Sequence, residues 1–395
     1  MKQIGILLSL AVLTAVPLMA AIIHVPGDQP TIQAAINAAH PGDTVLVAPG
    51  TYVENVNFMG KAITVRSSNG PKLTIIDGNA AAPVAAFVTS EGPKSVLSGF
   101  TLQNGLGTFN FQYQGGGVSI SYASPTIKGN VITKNSADDG GGVGVYWGSP
   151  IISNNTITKN YGQFGGGISF VGPSSSQVLH NNISSNTAGS GGAAELFGAG
   201  NVFIEDNRIV GNSASYGGGF WIVNESDEVI VQNLFARNTA SSGSQIYSLI
   251  PQSTKGFALI NNTIVSAPHG NADAAVIADG FNTNVLIENN VIYAAGDKAA
   301  LLCNPIYVYG PPIVEFNDAF NSTLAYGDSC SDMNGVQGNI SLDPLLVKGG
   351  YQLSLGSPAI NAGSNSAPSL PAKDLANKPR ISGGTVDMGA FEYQQ

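Results

Sequence analysis

Basic residues are scarce in this sequence. Sixteen Lys and Arg face 25 Asp and Glu, only Arg66, Arg208, Arg237 and Arg380 are arginines, and the formal net charge is -9. No basic field exists to gather phosphate backbones, which excludes nucleic acid as a partner. An acidic polysaccharide would also be repelled unless a local basic strip or a bridging divalent cation intervened. Charged residues make up only 10% of the chain, too few for much solvated helix surface. Histidine is limited to His24, His40, His180 and His269, which show neither metal-ligand spacing nor a nucleophilic triad. After Met19 no apolar run is long enough to span a membrane. The run from Ile4 to Met19, behind Lys2 and ahead of Ala20 and Ala21, reads as a secretory signal peptide over residues 1–21, so the protein is expected to be secreted or held at the cell surface. In that setting the two cysteines, Cys303 and Cys330, suit a disulfide: they are 27 residues apart, which is about one repeat.

What the chain has in abundance is glycine, 50 residues of it, and an apolar fraction of 43%, enough to fold. A six-residue pattern with asparagine at both ends recurs at Asn130 and Asn135, Asn155 and Asn160, Asn181 and Asn186, Asn207 and Asn212, and Asn233 and Asn238, with weaker copies from Asn262, Asn290 and Asn317. Glycine clusters keep the same step at Gly115, Gly140, Gly165, Gly191, Gly217 and Gly243. Three residues before the first asparagine the chain always places an aliphatic residue: Ile127, Ile152, Val178, Ile204, Ile230, Leu259, Ile287 and Val314. A second apolar column follows two residues after it, from Ile132 and Ile157 to Phe235 and Ile292.

Alternating β-branched runs broken by Gly and Pro argue for short strands. A unit this small cannot bury its apolar face alone, so successive units must stack with each strand beside its equivalent one coil away. The expected fold is therefore all-β, a single-stranded right-handed parallel β-helix; its handedness follows the general preference of parallel crossovers. Asparagine suits a turn because it tolerates left-handed backbone and because its amide can ladder onto the amides above and below. Residues 31–39, with Ile and Ala at helical spacing, predict a cap helix at the N-terminal end.

The opening residues, Thr31 to Ile36, Gly42 to Val47, Pro49 to Glu54 and Ile75 to Gly78, resemble the pectin-lyase-like right-handed β-helix superfamily over residues 22–338. Residues 339–395, with Asp343-Pro344, Gly350 to Gly363, Asp374 to Arg380 and Asp387 to Tyr393, resemble the choice-of-anchor-Q segment of bacterial surface proteins and are expected to form a C-terminal cap. The superfamily resemblance implies polysaccharide as partner and, for its lyase members, an Arg or Lys base with a calcium-binding acidic cluster.

Four groups of residues carry candidate chemistry. Loops before the glycine clusters align Tyr113 and Gln114, Asp138 and Asp139, Gln163 and Phe164, and Tyr216, with Tyr161 close by. Aromatics, amides and carboxylates on consecutive coils are what a sugar chain needs for stacking and hydroxyl recognition, and Asp138 with Asp139 has the composition of a hydrolytic acid/base pair. Lys134 and Lys159 form a short basic strip with Arg237 in the same column. Arg208, near Glu205 and Asp206, is the best match to a lyase base. Glu288 and Glu315, equivalent one coil apart, invite calcium. In each case a solvated turn or a surface ion pair is the plainer reading. Since no complete catalytic set emerges, the first expectation is a glycan-binding or surface-structural module, monomeric; the second is a polysaccharide lyase or hydrolase, and the third an adhesin-like contact protein.

Overall fold

A computed structural model describes residues 19–107, 115–224, 227–250, 256–279, 284–304, 312–321 and 323–394. The chain winds into one parallel solenoid with three long sheets: a first of twelve strands, from Ile22–Val25 to Ile313–Glu315, and a second and third of eleven strands each. One coil illustrates the path. Thr126–Lys128 lies in the first sheet, Val131–Thr133 in the second and Val143–Tyr146 in the third. Between the second and third sheets three coils insert an extra strand, Ser136–Asp139, Tyr161–Phe164 and Thr187–Ser190, and these form a small fourth sheet.

The aliphatic columns stack as their spacing requires. Ile127 lies in register with Ile152, then Val178, Ile204, Ile230, Leu259, Ile287 and Val314, and each is at most 2% exposed. The column from Ile132 through Ile157, Ile183, Ile209, Phe235, Ile264 and Ile292 is equally buried. Each such side chain contributes roughly 1.5 to 3 kcal/mol on burial, so the repeated columns are the main source of stability.

Both asparagine columns turn inward and form amide ladders. Asn155 donates its Nδ2 to Oδ1 of Asn181 at 3.1 Å and to the carbonyl of Ile127 at 2.9 Å, and its backbone N–H also reaches Asn181 Oδ1 at 2.9 Å. The first ladder continues through Asn317 to Asn339; the second runs from Asn135 to Asn238 and ends on Oε1 of Gln245. Left-handed backbone falls on the residue before each asparagine instead of on the asparagine itself. Asn154, His180, Asp206, Gln232, Asn261 and Asn289 precede the first ladder, and Lys134, Lys159, Ser185 and Arg237 the second, all with φ between 51° and 59°. The asparagine's backbone N–H must point along the ladder, so the tight corner is displaced one residue upstream. At Gly165, φ is 62° and a Cβ would stand 2.2 Å from the carbonyl oxygen of Ile168, so the glycine marker there is a steric requirement.

The N-terminal end is closed by the helix Ile32–Ala38. Thr31 caps it through its hydroxyl, and both carboxylate oxygens of Glu54 accept from the free N–H groups of Ile32 and Gln33. The strand Ile22–Val25 precedes this helix and pairs with Thr44–Val47. At the other end Cys303 and Cys330 form a disulfide, and Cys330 and Met333 pack on the core.

Residues beyond 341 run back along the flank of the rod instead of over its end. Gly389 N–H donates to the Asn289 carbonyl, Ala390 N–H to Thr263 Oγ1, and Gln232 reaches the carbonyl of Lys373. The reason is written in the outward positions of the coils beneath, where Val231, Leu234, Ala236, Ile260 and Val291 need cover and are at most 1% exposed.

Candidate functional site

The third sheet and the small inserted sheet meet along a shoulder that runs parallel to the rod axis. The outward column of the third sheet reads Ser119, Gly144, Ser169, Glu195, Trp221 and Tyr247 in register. Across the glycine corner the facing column reads Asp139, Phe164, Ser190, Tyr216 and Ser242. Phe164 precedes the coil of Glu195 and Trp221 follows it, yet their rings stack at 5.8 Å with planes 16° apart. The stack therefore spans Glu195, which is 3% exposed and accepts from the Ser169 hydroxyl at 2.6 Å. Burial raises the Glu195 carboxyl to about 8, and Asp139 adds to the effect. One coil further, the Tyr216 and Tyr247 rings meet at 5.7 Å. Tyr247 donates its hydroxyl to Asp279 Oδ2 at 2.9 Å.

Asp138 and Asp139 occupy a strand, so their side chains alternate: Asp138 is exposed and Asp139 is buried, its carboxyl raised to about 6 by burial and by Asp138. Adjacent carboxyls on opposite faces do not form the paired geometry of a glycosidase. Tyr161 and Gln163 face outward on the next strand, with Tyr161 52% exposed, while Phe164 and Tyr216 belong to the shoulder. Tyr113 and Gln114 lie outside the described residues. Lys134 and Lys159 are exposed at the corner between the second and inserted sheets, stacked through a backbone hydrogen bond, and do not enter the shoulder. Arg208 lies on the second sheet, three coils from Asp138, which is roughly 14 Å along the axis at strand spacing. There it sits over the Phe391 ring at 5.9 Å and helps line a groove of about 440 Å³ with His180, Asp206 and Lys373. Glu288 is 4% exposed, raised by burial and by its register neighbour Glu315, and touched by the Ser364 hydroxyl. Among the described residues no group of three or more His, Cys, Asp or Glu is spaced to hold a metal ion.

The right handed beta helix region profile matches residues 49–240 and 116–292, well over half of the chain. The chain belongs to the right-handed β-helix family. Among solved structures it is similar to pectate lyase Pel9A, at 18% identity and a TM-score of 0.46 over 94% of this chain and 96% of that one. No curated protein sequence matches it. Within this family assignment, Glu195, Trp221, Tyr247 and Asp279 are the shoulder residues that sequence reasoning missed. For the first three the signal was present: Ser119, Gly144, Ser169, Glu195, Trp221 and Tyr247 each stand four residues after a glycine marker.

Proposed function

We propose that the protein is an exported, glycan-associated β-helix that binds polysaccharide lengthwise along this shoulder, as a binding or surface-structural module. The observation that carries the reading is the partly exposed rings of the Phe164–Trp221 stack and the Tyr216–Tyr247 pair, which lie one after the other along the shoulder. Sugar rings stack on such faces while neighbouring carboxyls and hydroxyls take their hydroxyl groups. Export is supported by the disulfide, a bond that persists in oxidising compartments, and no described helix is long and apolar enough to cross a membrane. The C-terminal segment, with its choice-of-anchor-Q resemblance, would serve here as a flank cover over apolar coils.

Degradation of the glycan is the second reading, favoured by the raised carboxyls of Asp139 and Glu195, one of which would have to act as a proton donor. Both are at most 5% exposed, so binding is the better supported activity. The test is fluorescence titration of a Trp147→Phe variant, in which Trp221 is the sole tryptophan, against a glycan panel, with reducing-end and unsaturated-product assays on every binder. Binding seen through Trp221 fluorescence, and lost by calorimetry in Trp221→Ala, without turnover, is the expected result. Turnover abolished by Asp139→Asn would replace the module reading with the enzyme reading, and silence across the panel would remove both.

A further inference from the structure

At the C-terminal end of the shoulder Ser242, Tyr247, Asp273, Asp279, Asn304 and Asp328 line a depression of about 270 Å³. Asp279 is 5% exposed there; its Oδ2 accepts from Tyr247, and its Oδ1 is buried with no hydrogen-bond partner among the described residues. A buried acceptor left without a donor is costly, and one lining a depression marks a position where a ligand's donor is wanted. The charge pattern of the face points the same way. Across the eleven strands of the third sheet and the three of the inserted sheet there is no lysine or arginine, whereas Asp138, Asp139, Glu195, Asp279 and Asp328 all lie in those strands. The lysine at the rim, Lys298, is already paired with Asp273 at 3.0 Å.

The geometry points to a sugar subsite in this depression that takes hydrogen-bond donors, so that the shoulder selects a glycan free of acid groups and disfavours uronates. This rests on the glycan reading above. The donor is either a hydroxyl of a neutral hexose or the ammonium of an amino sugar; both satisfy Asp279 Oδ1 and Asp328, and neither meets the repulsion that a uronate carboxylate would meet from the aspartates lining the depression. The basic side chains Lys134, Lys159 and Arg208 are confined to other faces and do not alter this sign.

The test compares hexasaccharides of equal length, one of glucose, one of deacetylated glucosamine and one of galacturonate, by calorimetry on the full chain at low salt. The glucose or the glucosamine hexamer should bind at least tenfold more tightly than the galacturonate hexamer, and Asp279→Asn should weaken that binding about tenfold while Lys159→Ala leaves it unchanged. A tenfold preference for glucosamine over glucose identifies the ammonium as the donor, and similar affinities identify a hydroxyl. Equal or tighter binding of galacturonate overturns the charge inference and leaves glycan binding intact. Loss of binding in Trp221→Ala but not in Asp279→Asn overturns the subsite alone. Failure of all three sugars to bind overturns the underlying glycan reading.

Discussion

Replacing Asn181 by alanine tests the amide ladder at a fully wired rung. The Asn181 Nδ2 donates to the carbonyls of Ile152 at 2.8 Å and Leu179 at 3.1 Å and to Asn207 Oδ1 at 3.0 Å. Its Oδ1 accepts from both the backbone N–H and the Nδ2 of Asn155. Alanine keeps the backbone but strands the buried N–H of Asn155, at a cost of about 1 to 3 kcal/mol for one unmet donor, and removes four further hydrogen bonds worth about 1 kcal/mol each. Partial relaxation brings the expected loss to roughly 3 to 5 kcal/mol. Asn182 next door faces solvent, and Asn182→Ala should change stability by less than about 0.5 kcal/mol. Urea unfolding followed by far-ultraviolet circular dichroism measures both. Equal losses for the two variants, or no loss for Asn181→Ala, would refute the ladder.

Stability should also fall with rising pH. Burial lifts Glu195 to about 8, Asp318 and Glu392 to about 7 and Asp139 to about 6, so each is neutral at low cost in acid and must ionise in a confined site as pH rises. The stabilisation is complete below the unfolded values near 4 and is lost as pH passes through the folded ones. Melting temperature should therefore decline between about pH 5 and 8, and Glu195→Gln should flatten the upper part of that decline, by an amount on the order of 4 kcal/mol; a melting temperature that climbs over this range is the contrary result. Reducing the Cys303–Cys330 bond reopens a loop of 27 residues and should cost about 3 kcal/mol, read as a lower urea midpoint under dithiothreitol. An unchanged midpoint would show the bond to be dispensable.

The solenoid was legible because its two apolar columns and its asparagines repeat in sequence with almost constant spacing, and a one-coil register admits only one way to bury them. Handedness came from the general chirality of parallel crossovers. The position of the tight corner was not legible: Asn154 and Asn155 are the same residue type, and only the hydrogen-bond direction of the ladder decides which adopts φ near 55°. The shoulder was half legible. Phe164 and Tyr216 were found through the loops before the glycines, but Trp221 and Tyr247 lie past the markers, and their meeting with those rings is a contact between two sheets that strand patterns do not encode. The path of the C-terminal segment was hidden because it has no repeat; its footprint is visible only as apolar residues at outward positions such as Val231 and Ile260.

Hydrogen–deuterium exchange with and without the glycan hexamer that binds most tightly maps where the sugar lies on the rod. A glycan along the shoulder should slow exchange in residues 161–164, 213–223 and 242–249. Protection confined to the groove around His180, Arg208 and Lys373, with the shoulder unchanged, would contradict it.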